Sequence, residues 1–404
     1  MNKKILIVAL IWTIFLFSPS QIEATSRVST NKLPQTMYPI GNNDQSWLKT
    51  YGRFFLMEQG ESVVQTSDGG YLVLADATFI ESYYTLLINV GPDGQKKWQR
   101  IFFEMDGEGI IKTSDEKYVM IGYSYKGTFS TFLMKINSEG KKEWSTTIDG
   151  FLGSWFGDRN IQQTLDGGFI IVGSTGSGDA LLTKVDSTGI IEWNASYDGA
   201  ESDTGSSVMQ TKDGGYIIGG RTYPHGGEVT DLWILKTDSI GNEQWNKSFG
   251  DQSYEDCYSI LQTDDGGYVA AGVKNYSGWI LKIDASGTLI WDMVFPNDIC
   301  STVFSMDKTD DNGIIVTGIV STSNPFDRHL SLIKLSENGS VEWIRSYGRS
   351  NHDEAGYCVR QTDDGGFIIT GYKSNSWIPI TILNFDIWLI KTDAMGNATR
   401  DYVL

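Results

Sequence analysis

The chain has 404 residues and a formal net charge of −18 at pH 7. Such acidity favours solubility and argues against a polyanion such as nucleic acid as the partner. The three cysteines are an odd number, so disulfides do not form the framework of the fold, although one bridge remains open.

The N-terminus has the layout of a secretory signal. A basic start, MNKK, precedes the apolar run from Ile5 to Phe17, and a small polar stretch ends at Ala24 as a cleavage point. This apolar run is shorter than the roughly 20 residues that span a bilayer as a helix, so a cleaved signal is favoured over a retained anchor. We therefore predict a signal peptide at 1–24, a polar linker at 25–45, and no transmembrane segment in the mature chain. The protein is then expected to be secreted, extracellular or at the cell surface.

The rest of the chain repeats one unit seven times. Residues 210–220, QTKDGGYIIGG, show the unit's most regular part, a short strand, a tight turn and a second strand rich in β-branched residues. A third strand, another turn and a fourth strand follow. Four short antiparallel strands repeated at 46 to 53 residues are typical of a propeller blade. The first turns of the seven units are marked by Asp68, Asp115, Asp166, Asp213, Asp265, Asp311 and Asp364.

The two ends of the chain predict a closed ring. Six fourth strands carry a tryptophan, namely Trp98, Trp144, Trp193, Trp245, Trp291 and Trp343. The seventh unit has Arg400 at that place, whereas Trp47 precedes the first turn in the matching stretch SWLKTYG. We predict an all-β, seven-bladed β-propeller over residues 46–404, with four-stranded antiparallel blades and an N-terminal strand that completes the C-terminal blade. An open solenoid is the alternative, but it would need caps at both ends.

The tryptophans have a structural interpretation. Those on fourth strands, together with Trp233, Trp279 and Trp388 on third strands, are expected to pack between blades rather than to bind a ligand. VDSTGIIEW at 185–193 and TDSIGNEQW at 237–245 resemble the Asp…Gly…Trp signature of pyrroloquinoline-quinone-type propeller repeats. The whole unit resembles secreted bacterial and archaeal propellers, most of them uncharacterised. This resemblance implies a secreted propeller scaffold and carries over no site residue and no cofactor.

A binding site has to come from positions at which the blades differ. The loops between strands two and three vary most, and those of blades six, seven and one are rich in aromatic side chains suited to stacking on a sugar or gripping a peptide. An alternative is that Ile378, Ile380, Ile382 and Phe385 form a local core that packs the longest loop down. The predicted ligand-binding residues are Arg53, Phe54, Phe55, Phe79, Tyr83, Tyr84, Phe326, Arg328, His329, His352 and Trp377.

A set of carboxylates precedes the first strands of four blades. Counting back eight residues from the strand-one threonine gives Glu58, Asp203, Glu255 and Glu354, which we expect near the mouth of the central channel. Paired carboxylates can perform acid–base catalysis or bind calcium; capping of turns is the alternative. The sequence contains no calcium-loop spacing, nucleophile elbow, phosphate loop or zinc pair, so we predict no metal site and no cofactor.

Three functions are compatible with this sequence. The first is an exported, non-catalytic binding or adhesion scaffold that presents variable loops to an extracellular carbohydrate or protein ligand. The alternative is an extracellular polymer-degrading enzyme, a glycoside hydrolase or lyase, that uses carboxylates at the channel mouth. A quinone- or metal-dependent oxidoreductase is a third possibility.

Overall fold

Most of the repeat region is described by a computed structural model. The described residues are 46–52, 57–79, 82–126, 129–148, 150–152, 159–197, 202–223, 229–321, 327–350, 352–374 and 385–399. The predicted signal (1–24) and linker (25–45) lie outside the described residues. Within the described part, no helix is long and apolar enough to cross a membrane.

The secondary structure of the described residues consists of 29 β-strands. In chain order they are β1 (Trp47–Tyr51), β2 (Met57–Gln65), β3 (Tyr71–Phe79), β4 (Ser82–Val90), β5 (Lys96–Phe103), β6 (Met105–Lys112), β7 (Tyr118–Ser124), β8 (Ser130–Ile136), β9 (Lys142–Ile148), β10 (Phe151–Leu152), β11 (Ile161–Gln163), β12 (Phe169–Ser174), β13 (Ala180–Val185), β14 (Ile191–Tyr197), β15 (Asp203–Gln210), β16 (Tyr216–Thr222), β17 (Asp231–Thr237), β18 (Glu243–Phe249), β19 (Glu255–Gln262), β20 (Tyr268–Lys274), β21 (Ser277–Ile283), β22 (Leu289–Val294), β23 (Thr302–Lys308), β24 (Ile314–Ser321), β25 (Arg328–Leu335), β26 (Val341–Tyr347), β27 (Glu354–Gln361), β28 (Phe367–Ser374) and β29 (Phe385–Thr392).

These strands form seven antiparallel sheets, one for each sequence unit. In six sheets the strands follow one another in chain order, and in the seventh β1 lies beside β29. Blade three differs in one respect, because its first strand is present as two pieces, β10 and β11, that both pair with β12. The prediction of an all-β, seven-bladed propeller with four-stranded antiparallel blades is confirmed.

The ring is closed by the N-terminal strand. β1 pairs antiparallel with β29, in a register that runs from Trp47 opposite Lys391 to Tyr51 opposite Ile387. It is therefore the fourth strand of blade seven, whose other strands come from the C-terminal end of the chain. On the inner side, the Asp363 backbone N–H of blade seven donates to Oε1 of Gln65 in blade one at 3.0 Å. The predicted closure is confirmed.

The tryptophans of the fourth strands join neighbouring blades. Each indole packs on the glycine that ends the turn before the fourth strand of the next blade, as Trp343 does on Gly396 and Trp291 on Gly339. Several also meet the aromatic ring after the next blade's first turn, with ring centroids 6.0 Å apart for Trp144 and Phe169. Burying such rings contributes several kcal/mol each, at about 25 cal/mol per Å² of apolar surface. Trp47 is buried and the other fourth-strand tryptophans are half-buried, whereas the third-strand tryptophans Trp233, Trp279 and Trp388 are all buried.

In six blades, a lysine on the third strand forms an ion pair with the aspartate of the first turn. Lys282 is an example: its Nζ lies 2.9 Å from Asp265 and donates to Thr263 at 2.6 Å. The Lys282 hydrogen bond is the main reason that the pKa of Asp265 falls to about 2. Blade one has Asn89 at the lysine position, and Lys97 on its fourth strand binds Asp68 instead. The matching lysines are Lys135, Lys184, Lys236, Lys334 and Lys391.

Candidate functional site

The innermost strands carry one residue each that points toward the propeller axis. In six blades, the pairing of the first strand with the second skips one residue, which is the mark of a β-bulge. The skipped residues are Glu61, Glu108, Ser206, Tyr258, Phe304 and Tyr357. Side chains of consecutive blades meet there, with centroids 5.8 Å apart for Tyr258 and Phe304, and 5.3 Å for Phe304 and Tyr357. These contacts require the side chains to converge on the axis.

The residues at the bulges differ around the ring. Blades five to seven supply the buried aromatic residues Tyr258, Phe304 and Tyr357, whereas blades one and two supply Glu61 and Glu108. An ion pair crosses the channel, since Nη2 of Arg159 in blade three lies 2.6 Å from Oδ1 of Asp307 in blade six. These residues were not identified from the sequence.

A partly exposed group of aromatic side chains lies on blades one and two. Tyr83 at the start of β4 stacks on Tyr125 with ring centroids 4.4 Å apart. Phe129 lies 5.3 Å from Tyr125 and stacks on Tyr123 at 5.0 Å. Phe129 is 41% exposed, so the stack opens to solvent. We call Tyr83, Tyr123, Tyr125 and Phe129 the aromatic cluster.

The backbone of Glu104 holds this cluster together. Glu104 is the single residue between β5 and β6, and its φ of 58° turns the chain sharply from blade one to blade two. Its N–H donates to the Tyr83 carbonyl at 2.9 Å, and its carbonyl accepts from the Tyr125 N–H at 2.8 Å. Both tyrosines are therefore fixed by main-chain hydrogen bonds, and their rings stack without the cost of ordering a free loop.

Four carboxyl groups lie below the aromatic cluster. Asp106 accepts a hydrogen bond of 3.3 Å from the Tyr125 hydroxyl. Burial is the largest cause that raises the pKa of Glu61 well above its usual range, followed by the nearby charges of Asp76 and Glu108. Like charges at close range in a poorly solvated site oppose full ionisation, so this carboxyl cluster (Glu61, Asp76, Asp106 and Glu108) favours the protonated form of Glu61. It can accept hydrogen bonds from hydroxyl groups and can also donate one.

The structure describes only part of the predicted aromatic sector. Tyr84 pairs edge-to-face with Phe103, with centroids 5.5 Å apart, and Phe103 is 67% exposed. Tyr83 belongs to the aromatic cluster. Phe79 ends β3, and its side chain is outside the described part. Several predicted residues also lie outside the described residues, namely Arg53, Phe54, Phe55, Phe326 and Trp377.

Three further predicted residues have intramolecular partners. Arg328 makes a two-point ion pair with Asp353, at 2.7 Å from Nε and 2.6 Å from Nη2, and contacts the Tyr372 hydroxyl at 3.0 Å. Nε2 of His329 lies 3.3 Å from Asp327, and Nδ1 of His352 lies 3.1 Å from the Ser374 carbonyl. The guanidinium of Arg328 therefore supports the fold.

The four predicted channel-mouth carboxylates, Glu58, Asp203, Glu255 and Glu354, are all buried. Glu354 is fully buried, and desolvation raises its pKa to about 8, although Lys373 and the Arg349 backbone N–H oppose the shift. Burial also raises the pKa of Glu255, whose Oε1 accepts from Ser253 at 2.7 Å. In the described ranges, no three His, Cys, Asp or Glu side chains are placed to hold a metal ion.

Comparisons with known proteins bear on the fold. No protein-family model and no curated protein matches the chain. Three solved structures are similar in fold. A lectin of Burkholderia pseudomallei, BP39L, has a TM-score of 0.54 at 8% identity, covering 84% of this chain and 97% of its own. The Dos1 propeller gives 0.52 at 9% identity, covering 88% and 97%. A Lactobacillus plantarum protein gives 0.51 at 12% identity, covering 74% and 87%. At these identities the likeness shows the propeller fold alone.

Proposed function

We propose that this protein is an exported, non-catalytic binding module that takes a carbohydrate at the aromatic cluster of blades one and two. The observation that carries the proposal is the partly exposed stack of Tyr83, Tyr125 and Phe129 above the carboxyl cluster. Aromatic faces pack on the apolar faces of sugar rings, and convergent polar groups bind the hydroxyls. A propeller also occurs in the lectin from Burkholderia pseudomallei, which agrees with this use of the fold.

The position of the cluster supports binding at this end of the propeller. Tyr83 and Phe129 flank the connections between second and third strands in blades one and two, where the repeat varies most. The main-chain bonds of Glu104 fix the rings before a ligand arrives, so little side-chain entropy is lost on binding. The predicted aromatic residues of blades six and seven, including Trp377, are proposed to extend the same surface.

The test is binding of the purified mature protein to arrayed glycans and to soluble polysaccharides, followed by calorimetry. Tyr125→Ala and Phe129→Ala are expected to weaken binding at least tenfold. Tyr276→Ala is the matched control, because Tyr276 is 52% exposed in the connection between β20 and β21 on blade five. Binding that survives both cluster variants would remove the cluster from the site. Retention on a peptide array instead of the glycans would identify a protein ligand.

Export is part of the same proposal. It rests on the N-terminal sequence, with its basic start and short apolar run. Expression in a secreting bacterial host, followed by intact-mass measurement, should yield a mature chain that begins at Thr25. A full-length mass in the membrane fraction would indicate a retained anchor.

A polymer-degrading enzyme is the second candidate function, and the raised pKa values favour it. A general acid has to be protonated at the working pH. Burial raises the pKa of Glu61 well above its usual range and that of Glu354 to about 8, and both shifts favour the protonated form. Polysaccharides that the protein binds on the array would be incubated with it in solution, and the reducing ends released would be measured. Turnover that falls more than a hundredfold in Glu61→Gln, Glu354→Gln or Asp203→Asn, with folding intact, would establish catalysis. No release of reducing ends or unsaturated products from any bound polymer would remove the enzyme hypothesis.

A further inference from the structure

The interface between blades five and six departs from the repeat on the face opposite the aromatic cluster. A cleft of about 550 Å³ lies there, at the end of the sheets that carries the tight turns. Trp291 forms part of its wall, beside Ile290 of the same strand. Its lining includes four carboxylates, Asp265, Asp311, Glu337 and Glu342, and one cation, Lys282. Lys282 pairs with Asp265, and Lys334 pairs with Asp311 and Glu342.

Equivalent tryptophans elsewhere are covered by a cation from their own strand. The guanidinium of Arg100 lies 5.3 Å from the Trp98 ring centre, and that of Arg345 lies 5.2 Å from the Trp343 ring centre. A cation over an indole face is attracted by the ring quadrupole. Each arginine follows its tryptophan by two residues, and Lys49 and Lys247 hold the same position after Trp47 and Trp245. The repeat therefore tends to place a long basic side chain at this location.

Blade five lacks this cation. Met293 occupies the position two residues after Trp291, and it packs in the apolar core between the blades. Thr146 and Ala195 stand at that position in blades two and three, so the missing cation alone does not distinguish blade five.

The residue before the tryptophan distinguishes blade five from the other blades. In blades two, three and six it is a glutamate that pairs with a lysine, as Glu192 does with Lys184 at 2.8 Å. In blade five it is Ile290, whose side chain is 55% exposed. Trp291 is thus bordered by an apolar residue on one side and faces the carboxylates of blade six. A cation that entered the cleft would meet the indole of Trp291, the sec-butyl side chain of Ile290 and the negative charge of Glu337.

The strand beside the cleft is an exposed sheet edge. β22 is the outermost strand of blade five and pairs only with β21 among the described strands. Leu289 and Val294 are each 45% exposed on it, whereas Gln244, Asn246 and Ser248 occupy the outward positions of β18 in blade four. An apolar edge of this kind is a site at which an extended segment can add as a further strand.

We propose that the β22 edge and the adjoining cleft dock an extended, arginine-bearing segment of another protein. Its arginine takes the place over Trp291 that Arg100 and Arg345 take over their own tryptophans. The planar guanidinium stacks on the indole while its aliphatic stem packs on Ile290, and the carboxylate of Glu337 balances its charge. The net charge of −18 disfavours a second copy of this chain as the occupant. This site is independent of the proposed carbohydrate site.

Two fluorescein-labelled peptides of alternating valine and arginine, or of valine and citrulline, are titrated with the mature protein by fluorescence anisotropy. Citrulline keeps the shape of arginine without its charge. We expect the arginine peptide to bind at least fivefold more tightly. Met293→Arg restores the internal cation and should weaken its binding at least tenfold, as should Ile290→Glu. Ala195→Arg makes the matching change in blade three and should leave binding unchanged.

Several outcomes would overturn the proposal. They are absence of binding by the arginine peptide, equal binding of both peptides, and unchanged binding by Met293→Arg and Ile290→Glu. Sedimentation velocity tests whether a second copy of this chain occupies the edge instead. A dimer of the wild-type protein that both variants abolish would show that a second copy occupies the edge. Because Met293→Arg and Ile290→Glu reproduce residues found in sister blades, thermal unfolding should show both to be folded.

Discussion

The indole of Trp47 packs on Gly94, so that the first strand of the chain contacts blade one as every other fourth strand contacts the blade that follows it. A Cβ on Gly94 would lie 2.8 Å from the Lys49 side chain and 3.0 Å from the Trp47 ring. The Trp47 Nε1–H also donates to the Pro92 carbonyl at 2.7 Å. Closure of the ring therefore depends on side-chain packing as well as on the pairing of β1 with β29.

We predict that Gly94→Ala destabilises the protein more than Gly365→Ala. Both glycines have a positive φ, 75° and 77°, but nothing lies within 4 Å of a Cβ on Gly365. Gly365→Ala is the control, because it loses only the stability that a positive φ costs an alanine, about 1 kcal/mol or more. The additional loss of unfolding free energy in Gly94→Ala measures the contact with Trp47. Trp47→Ala should lower the free energy of unfolding by about 3 to 5 kcal/mol. Urea denaturation followed by circular dichroism measures all three, and equal losses in the two glycine variants would contradict the packing.

The sequence was sufficient to predict the ring, because the repeat makes each blade's strands and turns visible seven times over. The sequence also predicted that Trp47 belongs to the last blade, because the seventh unit lacks the fourth-strand tryptophan and Trp47 precedes the first unit. The aromatic cluster was only partly predictable. Tyr83 was identified, whereas Tyr123, Tyr125 and Phe129 were missed although GYSYKGTF, which ends strand two of blade two and continues into its loop, is rich in aromatic residues.

The periodicity of the sequence does not predict which residues point toward the central channel. Tyr258 and Phe304 point to the axis because a bulge shifts the pairing by one residue, and a bulge on the first strand leaves no turn signal in the sequence. The burial of Glu354 could not be predicted either, because glutamate side chains are rarely buried and are therefore expected at the surface. The role of Arg328 depends on Asp353, which is 25 residues further along the chain.

Burial of Glu354 predicts a pH dependence of stability. Its folded pKa of about 8 lies above that of the unfolded chain, so its contribution is present below about pH 4 and is lost as the pH rises toward 8. The free energy of unfolding should fall by at most about 1.4 kcal/mol for each pH unit in that window. Glu354→Gln should remove this part of the slope and be more stable than the wild type at pH 8. Glu337→Gln, at an exposed residue, is the control, and a wild-type slope in Glu354→Gln would contradict the assignment.

The ion pair across the channel is expected to stabilise the ring. Asp307 also accepts from the Gln361 backbone N–H at 3.0 Å, and an asparagine can keep that bond. Asp307→Asn should therefore cost about 1 to 3 kcal/mol, because it leaves the partly buried Arg159 without its charge partner. Lys97→Met breaks the exposed pair with Asp68 and should cost less than about 1 kcal/mol. A double-mutant cycle with Arg159→Met isolates the coupling, and a value near zero would show that the bridge does not matter.

The thiols provide a test of the closed core. Cys257, Cys300 and Cys358 are all buried thiols that form no disulfide, so the bridge that the sequence left open is not formed. Burial raises the pKa of Cys300 to about 12 and also raises that of Cys257, and the thiolate is the reactive form. We expect no reaction of the native protein with Ellman's reagent and three equivalents of thiol in denaturant. Fewer than three in denaturant would reveal a bridge, whereas rapid labelling of the native protein would mean that the blade interfaces open.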